Sequence, residues 1–446
     1  MWQSLRCPYC SRPFDFDERE KPDTARAEFG LLRCGCSEFP VVDGIPIIMR
    51  DDLRIYEHTT GAPETEGIAV EELADLIRRD ATHDALLRSL AVFGVPAAWR
   101  KALGWRLCRS RIVTRLAESL ATTRFQRRVL AQRDMHSVRD VLEYYYRPGG
   151  PMNPDVGHYF IQRFTQPRHL AALSLAATVS AESKAVLDIA CGLGHLAHYF
   201  NCRQDRMPVV GIDLNFFQLW IARHFIAPQS YFVCANAEDG LPFDDDCFSA
   251  AFCSDAYHYI RNYALLLDEI ERCAPGKMAA MTRVGNASVM PNEGVERTVD
   301  TYLAEFPGPA RGFHEAELVK SYLECRSPYE AEQAANAILR EHKWLSFTWN
   351  MPAAHRTIKD DAIAPHAVGR IGINPIYDRS KTSDGGLRLK FEFPTAWYAY
   401  ENHSMLEYHP IEAVLSDEQL SQLSEWQKDE SLRKLVDSFV LIGLPL

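Results

Sequence analysis

The chain has 446 residues, 47% of them hydrophobic and 24% charged, with only 24 Gly and 25 Pro, a composition that excludes disorder, collagen and coiled coil. No stretch reaches the roughly 18 apolar residues that cross a bilayer, and Met1 to Pro8 lack a basic segment leading into an apolar one, so the expected location is the cytoplasm. The net charge of −11 is uneven: ten basic residues face only Glu118 between Trp99 and Arg133, a local charge of +9, and the remainder carries −20.

Residues 1–50 are short, turn-rich and hold four of the twelve cysteines in two tight pairs, Cys7-Pro8-Tyr9-Cys10 and Cys34-Gly35-Cys36. Two turns that each present two sulfurs suit a closed tetrahedral zinc site, the alternatives being incidental thiols or a disulfide. The run that follows, Glu38-Phe39-Pro40-Val41-Val42-Asp43-Gly44-Ile45-Pro46-Ile47-Ile48, resembles the tail of the small zinc-ribbon domain that activates tRNA and translation-factor methyltransferases. The resemblance implies a ribbon that binds or stabilises a methyltransferase without doing chemistry, and structural Zn2+ on Cys7, Cys10, Cys34 and Cys36. With the metal in a module of its own, Cys34→Ser is expected to destabilise the ribbon and leave cofactor affinity nearly unchanged.

Residues 51–154 read as a helical connecting or lid region, with i, i+3, i+4 apolar spacing from Val70 to Ile77 and a break at Arg147-Pro148-Gly149-Gly150-Pro151. The basic stretch from Arg100 to Arg133 has three readings: a solvated face, a docking surface for an acidic or carrier-bound partner, or a track for RNA phosphates. By analogy with the methyltransferase fold that the motifs further along resemble, Tyr144-Tyr145-Tyr146 and the run from Tyr159 to His169 would fall where a lid helix covers the cofactor. Tyr159 and Arg168 are therefore substrate candidates, although a solvated helix face also accounts for Arg168 and His169.

From residue 155 to 290, apolar runs alternate with helical patterns, with strands expected at Ala185–Ile189, Val209–Asp213, Tyr231–Cys234, Ser249–Cys253 and Met278–Thr282. Such alternation means βαβ units and a parallel sheet. Gly192-Leu193-Gly194 directly follows the first strand and opens a helix, and the second strand ends in Asp213, where a carboxylate can accept the hydroxyls of a ribose. Ala197 in place of a third glycine leaves a nicotinamide dinucleotide open at this point.

The segments Asn236-Ala237-Glu238-Asp239-Gly240-Leu241-Pro242-Phe243 and Phe248 to Ile260 then resemble the class I S-adenosylmethionine-dependent methyltransferases of the type 11 kind. The likeness covers about residues 155–285. It implies an α/β fold with a Rossmann-like methyltransferase sheet, and S-adenosylmethionine as cofactor held by Asp188, Ala190, Gly192, Gly194, Asp213, Leu214, Asn236, Ala237 and Asp255. Asn236 and Ser249 stand where the family has aspartate.

Methyl transfer is an in-line displacement that needs a base only when the nucleophile starts protonated. His258, just past the fourth strand, is the base candidate, with packing as its alternative, and Tyr257 beside it is a candidate for the substrate wall. Residues 291–446 read as a mixed α+β extension that completes the core and shapes the substrate pocket; Trp344–Trp349 and Trp397–Glu401 are expected as buried β-structure. The expected function is methyl transfer to a small-molecule acceptor, with no membrane partner. The alternatives are an RNA enzyme resembling the ribosomal RNA guanine-N1 methyltransferases, and an inactive cofactor-binding scaffold.

Overall fold

The computed structural model describes residues 4–18, 28–53, 67–90, 154–181, 184–290, 296–328, 336–351, 358–361 and 363–445, with a few positions between 110 and 142. Tyr144 to Tyr146 and every arginine and lysine of the basic stretch lie outside the described residues.

Four short strands open the chain: β1 (Asp15–Glu18), β2 (Gly30–Arg33), β3 (Glu38–Val42) and β4 (Ile45–Ile48), an antiparallel meander. Asp43 (φ 48°) and Gly44 (φ 72°) form the two-residue turn between β3 and β4, both left-handed as a type I′ hairpin requires. The parallel strands follow: β5 (Ala185–Ile189), β6 (Val209–Asp213), β7 (Tyr231–Ala235), β8 (Phe248–Ser254) and β9 (Met278–Gly285). Each coincides with an expected strand to within a few residues. Their valine-, alanine- and phenylalanine-rich runs are buried on both faces, as parallel strands under helices must be. β10 (Ala310–His314) and β11 (Trp344–Trp349) close the series.

The sheet order is β1-β2-β3-β4-β7-β6-β5-β8-β9-β11-β10. Its parallel centre runs third, second, first, fourth, fifth, the doubly wound order that reverses direction between β5 and β8. β11 is antiparallel to both β9 and β10, so the sheet extends past residue 290 into the C-terminal third. At the other edge β4 pairs parallel with β7, setting Ile47 against Cys234 and Ile48 against Ala235. The cysteine-bearing meander and the parallel core thus share one sheet and, through Leu5, Cys7, Phe39 and Ile48, one hydrophobic core.

The hairpin turn is clamped to the core as well. The Asp43 carboxylate accepts hydrogen bonds from Trp220 Nε1 (2.8 Å) and His224 Nε2 (2.7 Å). Trp220 belongs to the helix Phe216–Ile221, so this contact ties the ribbon to the helix that follows β6.

The helices Pro167–Ala176, His195–Cys202 and Glu315–Leu323 bury one face of the sheet, and Tyr263–Cys273 and Val299–Glu305 bury the other. Residues 363–445 add β12 (Arg370–Ile373), β13 (Tyr377–Lys381), β14 (Leu387–Phe391), β15 (Glu412–Leu415) and β16 (Leu441–Leu444), mainly around a core of their own that includes Leu389, Tyr398, Met405 and Leu432. Trp397–Glu401 is not β-structure. It lies in the helix Ala396–Glu401, capped by Thr395, with Trp397 43% and Tyr400 74% exposed. Its Ala-Trp-Tyr-Ala-Tyr-Glu sequence reads as a strand by aromatic content, and the local threonine cap outweighs that preference. No helix among the described residues is long and apolar enough to cross a membrane.

Candidate active site

The first strand delivers the chain to a tight backbone turn at the carboxyl edge of the sheet. Ala190 (φ 53°), Gly192 (φ 54°) and Gly194 (φ 73°) all adopt left-handed conformations there. A Cβ on Gly192 would stand 3.3 Å from Gln218 Oε1, a buried acceptor with no hydrogen-bond partner among the described residues. An open backbone cradle beside a free acceptor suits a bound group that carries an ammonium.

Asp213 closes the same turn from the next strand. Its Oδ2 accepts from Gly192 N–H (2.9 Å) and its Oδ1 from Asn215 N–H (2.8 Å). These two bonds help hold the carboxylate at the edge of the sheet. Asp188 lies behind it at the end of β5. Burial, and then the Asp213 charge, push Asp188 up to about 8 against the pull of Arg163. Leu214 is half-buried beyond β6, and Asn236 caps the turn after β7 by accepting from Glu238 N–H (3.0 Å), with Ala237 beside it.

At the ends of β8 and β9 lies a second constellation. Asp255 (φ 61°) and Arg283 (φ 51°) are non-glycine residues in left-handed conformations directly past the paired Ser254 and Thr282. Such backbone persists only where surrounding contacts hold it. Arg283 Nη1 donates to Asp255 Oδ1 (2.9 Å), while Asp255 Oδ2 accepts from Tyr159 Oη (2.7 Å), Arg168 Nη1 (3.0 Å) and Arg163 Nη1 (3.1 Å). Against its own burial, Arg283, Arg168 and Arg163 hold the Asp255 carboxyl well below the usual range. Arg283 also donates to Glu401 (2.7 Å) and Glu315 (3.2 Å), and Lys343 Nζ meets Glu401 Oε1 at 3.1 Å.

Tyr159, Arg168 and Asp255, far apart in sequence, therefore converge. Arg168 and His169 are only 4% and 5% exposed, which corrects the reading of a solvated helix face: the helix Pro167–Ala176 is buried all round between the sheet and its neighbour. His258 is also buried, its ring 4.1 Å from that of Tyr259 and 5.9 Å from that of Trp344, and its Nδ1 has no partner among the described residues. Burial lowers it to about 4, so the imidazole is neutral at pH 7. Tyr257 packs instead in the core against Tyr302 and Phe306. Gln218, Arg163, Arg283, Glu315 and Glu401 carry no motif. Only the place of Gln218 in the first turn after the acidic strand was a usable signal.

Residues 187–278 match the methyltransferase domain family. The fold is that of a Rossmann-like class I methyltransferase. Nothing among curated proteins matches the chain. Similar solved structures include the complex between the Haloferax volcanii Trm112 methyltransferase activator and a putative methyltransferase, at 18% identity over 45% of this chain and 94% of that one, with a TM-score of 0.34. Haemonchus contortus phosphoethanolamine N-methyltransferase 2 in complex with S-adenosyl-L-methionine aligns at 16% identity over 49% and 60%, with a TM-score of 0.34. Geranyl diphosphate C-methyltransferase from Streptomyces coelicolor aligns at 16% over 41% and 76%, with a TM-score of 0.30.

The four ribbon thiols also converge. All four sulfurs lie within 4.8 Å of one another, with Cys34 Sγ to Cys36 Sγ at 3.4 Å and Cys7 Sγ to Cys36 Sγ at 3.6 Å. Zn–S bonds of ~2.3 Å place tetrahedral sulfurs ~3.8 Å apart, so the donor set fits that ion. Burial pushes the Cys7 thiol up, whereas Cys36, against a burial penalty, is brought to about 6 by hydrogen bonds from Cys34, Cys10 and Cys7.

Proposed function

We propose that the chain transfers a methyl group from S-adenosylmethionine to a small-molecule acceptor, and that Zn2+ held by Cys7, Cys10, Cys34 and Cys36 is structural. The observation that carries the cofactor reading is the turn Ala190 to Gly194 under the Asp213 carboxylate, within the segment that matches the methyltransferase domain family. Gly192 and Gly194 would admit the cofactor's amino acid end, Gln218 Oε1 and Asp188 would receive its ammonium, and Asp213 would accept both ribose hydroxyls. Leu214, Asn236 and Ala237 would edge the adenine. Asp255 stands apart from this set, because its carboxylate is spent on three arginines and a tyrosine.

When bound, S-adenosylmethionine supplies an electrophilic methyl group. The chain's own work is to hold the acceptor in line and to exclude water. His258 is neutral at pH 7 and its Nδ1 has no partner among the described residues, so it would take a proton from an acceptor that carries one, though at about 4 it would act as a weak base. Because β4 extends the sheet beside β7, the ribbon would support the strand that ends at the adenine edge.

Calorimetric titration with S-adenosylhomocysteine tests the cofactor reading. Asp213→Ala loses two charge-assisted hydrogen bonds of roughly 1.5–3 kcal/mol each, so affinity is expected to fall more than tenfold. Equal affinity of wild type and variant would remove Asp213 from the site.

A further inference from the structure

We infer that the acceptor carries an oxyanion, a carboxylate or a phosphate monoester, gripped by the Nε–Nη2 edge of Arg168; the inference rests on the methyl-transfer reading above. Arg168 is buried, and its Nη1 is committed to Asp255 Oδ2 at 3.0 Å. Its Nε and Nη2 are buried and make no hydrogen bond among the described residues. Nη2 lies 3.5 Å from Glu401 Oε2, an ion-pair distance without hydrogen-bond alignment, and that oxygen is already taken by Arg283 at 2.7 Å.

A buried guanidinium with two nitrogens that make no hydrogen bond among the described residues bears a desolvation cost that the long Glu401 ion pair offsets only in part. Those two groups form the side of the fork that meets two oxygens of one planar or tetrahedral anion at once. A lysine ammonium would not demand that geometry. The rest of the cluster fixes the fork: Asp255 holds Nη1, and the Tyr159 ring lies 5.0 Å from the guanidinium carbon.

The surroundings also suit an organic anion. His258, whose Nδ1 has no hydrogen-bond partner among the described residues and which feels the charges of Asp255, Arg283 and Arg168, lies against Tyr259 and Trp344, and Tyr259 is 60% exposed. Arg283 lies 3.7 Å over the Trp344 ring. The oxyanion would orient the acceptor, leaving the imidazole facing the atom that is to be methylated.

The test uses benzoate, phenyl phosphate and the neutral isostere benzamide as probes, titrated calorimetrically against the full chain with and without saturating S-adenosylhomocysteine. At least one oxyanion is expected to bind ten times more tightly than benzamide. Arg168→Gln should reduce that preference to within twofold, and Arg168→Lys, which keeps the charge but loses the fork, should forfeit at least fivefold. Whichever of benzoate and phenyl phosphate binds more tightly identifies the source of the oxyanion. Wild-type protein that binds neither better than benzamide overturns the inference without recourse to any variant, as does full preference retained in Arg168→Gln. Failure of S-adenosylhomocysteine to bind would strike the cofactor reading instead, and the probe titrations without it still report on Arg168.

Discussion

Asp255→Asn removes one charge from the centre of the arginine cluster with almost no change of shape. The asparagine carbonyl can still accept from Arg283, but its NH2 group then points donors at Arg163, Arg168 and the Tyr159 hydroxyl. Asp255 and the three arginine side chains are only 4–9% exposed, so water does not replace the acceptor they lose. Removing one partner of a buried ion pair costs about 3–5 kcal/mol. With a urea dependence of about 3 kcal/mol per molar, the unfolding midpoint should fall by about 1–2 M. Asp244→Asn is the matched control. Asp244 also meets an arginine, Arg6, at 2.9 Å, but with side chains 34% and 35% exposed. Such a pair contributes about 0–1 kcal/mol, so the midpoint should move by no more than about 0.3 M. Urea titrations of the three proteins followed by tryptophan fluorescence decide it. Two shifts of equal size would refute the argument that burial, rather than distance, sets the worth of the Asp255 contacts.

Elemental analysis should find one zinc per chain, and Cys34→Ser should lose it. The expectation that cofactor affinity then stays unchanged does not suit a sheet in which β4 pairs with β7 and Tyr9 Oη donates to Asp239 at 3.0 Å, so S-adenosylhomocysteine should bind severalfold more weakly to that variant. Unchanged affinity without metal would show that the loop after β7 holds itself. Stability should also decline on mild acidification. His195 and His409 at about 3, and His258 and His366 at about 4, stay neutral in the folded chain, whereas unfolded histidine protonates near 6.5. Folded values below unfolded ones mean stability that is full above about pH 6.5 and is lost as the pH falls towards 4, at up to about 1.4 kcal/mol per pH unit for each histidine. Asp188, raised to about 8, works in the opposite sense and offsets one of them. Urea midpoints that are equal at pH 7 and pH 5 would contradict this balance.

Much of the architecture is legible in the sequence. The five parallel strands, the turn at Gly192 and Gly194, the acid at the end of β6 and the paired thiols are local features, written in runs of a few residues whose periodicity and spacing follow from backbone geometry. The four clustered cysteines could be named because tight turns bring each pair of sulfurs together by themselves. What folding decided was which distant pieces meet. The docking of β4 on β7 is made by backbone hydrogen bonds, which any apolar strand can offer, so Ile47 and Ile48 carry no mark of their partner. The arginine cluster draws Arg163, Arg168, Asp255, Arg283 and Glu401 from four separate segments, each an ordinary charged residue in its own neighbourhood. Arg168 read alone belongs on a wet helix face. Only when the sheet, its neighbouring helix and the C-terminal segment close around it does its charge become buried, and burial is the condition under which an unpaired N–H costs enough free energy to imply a ligand.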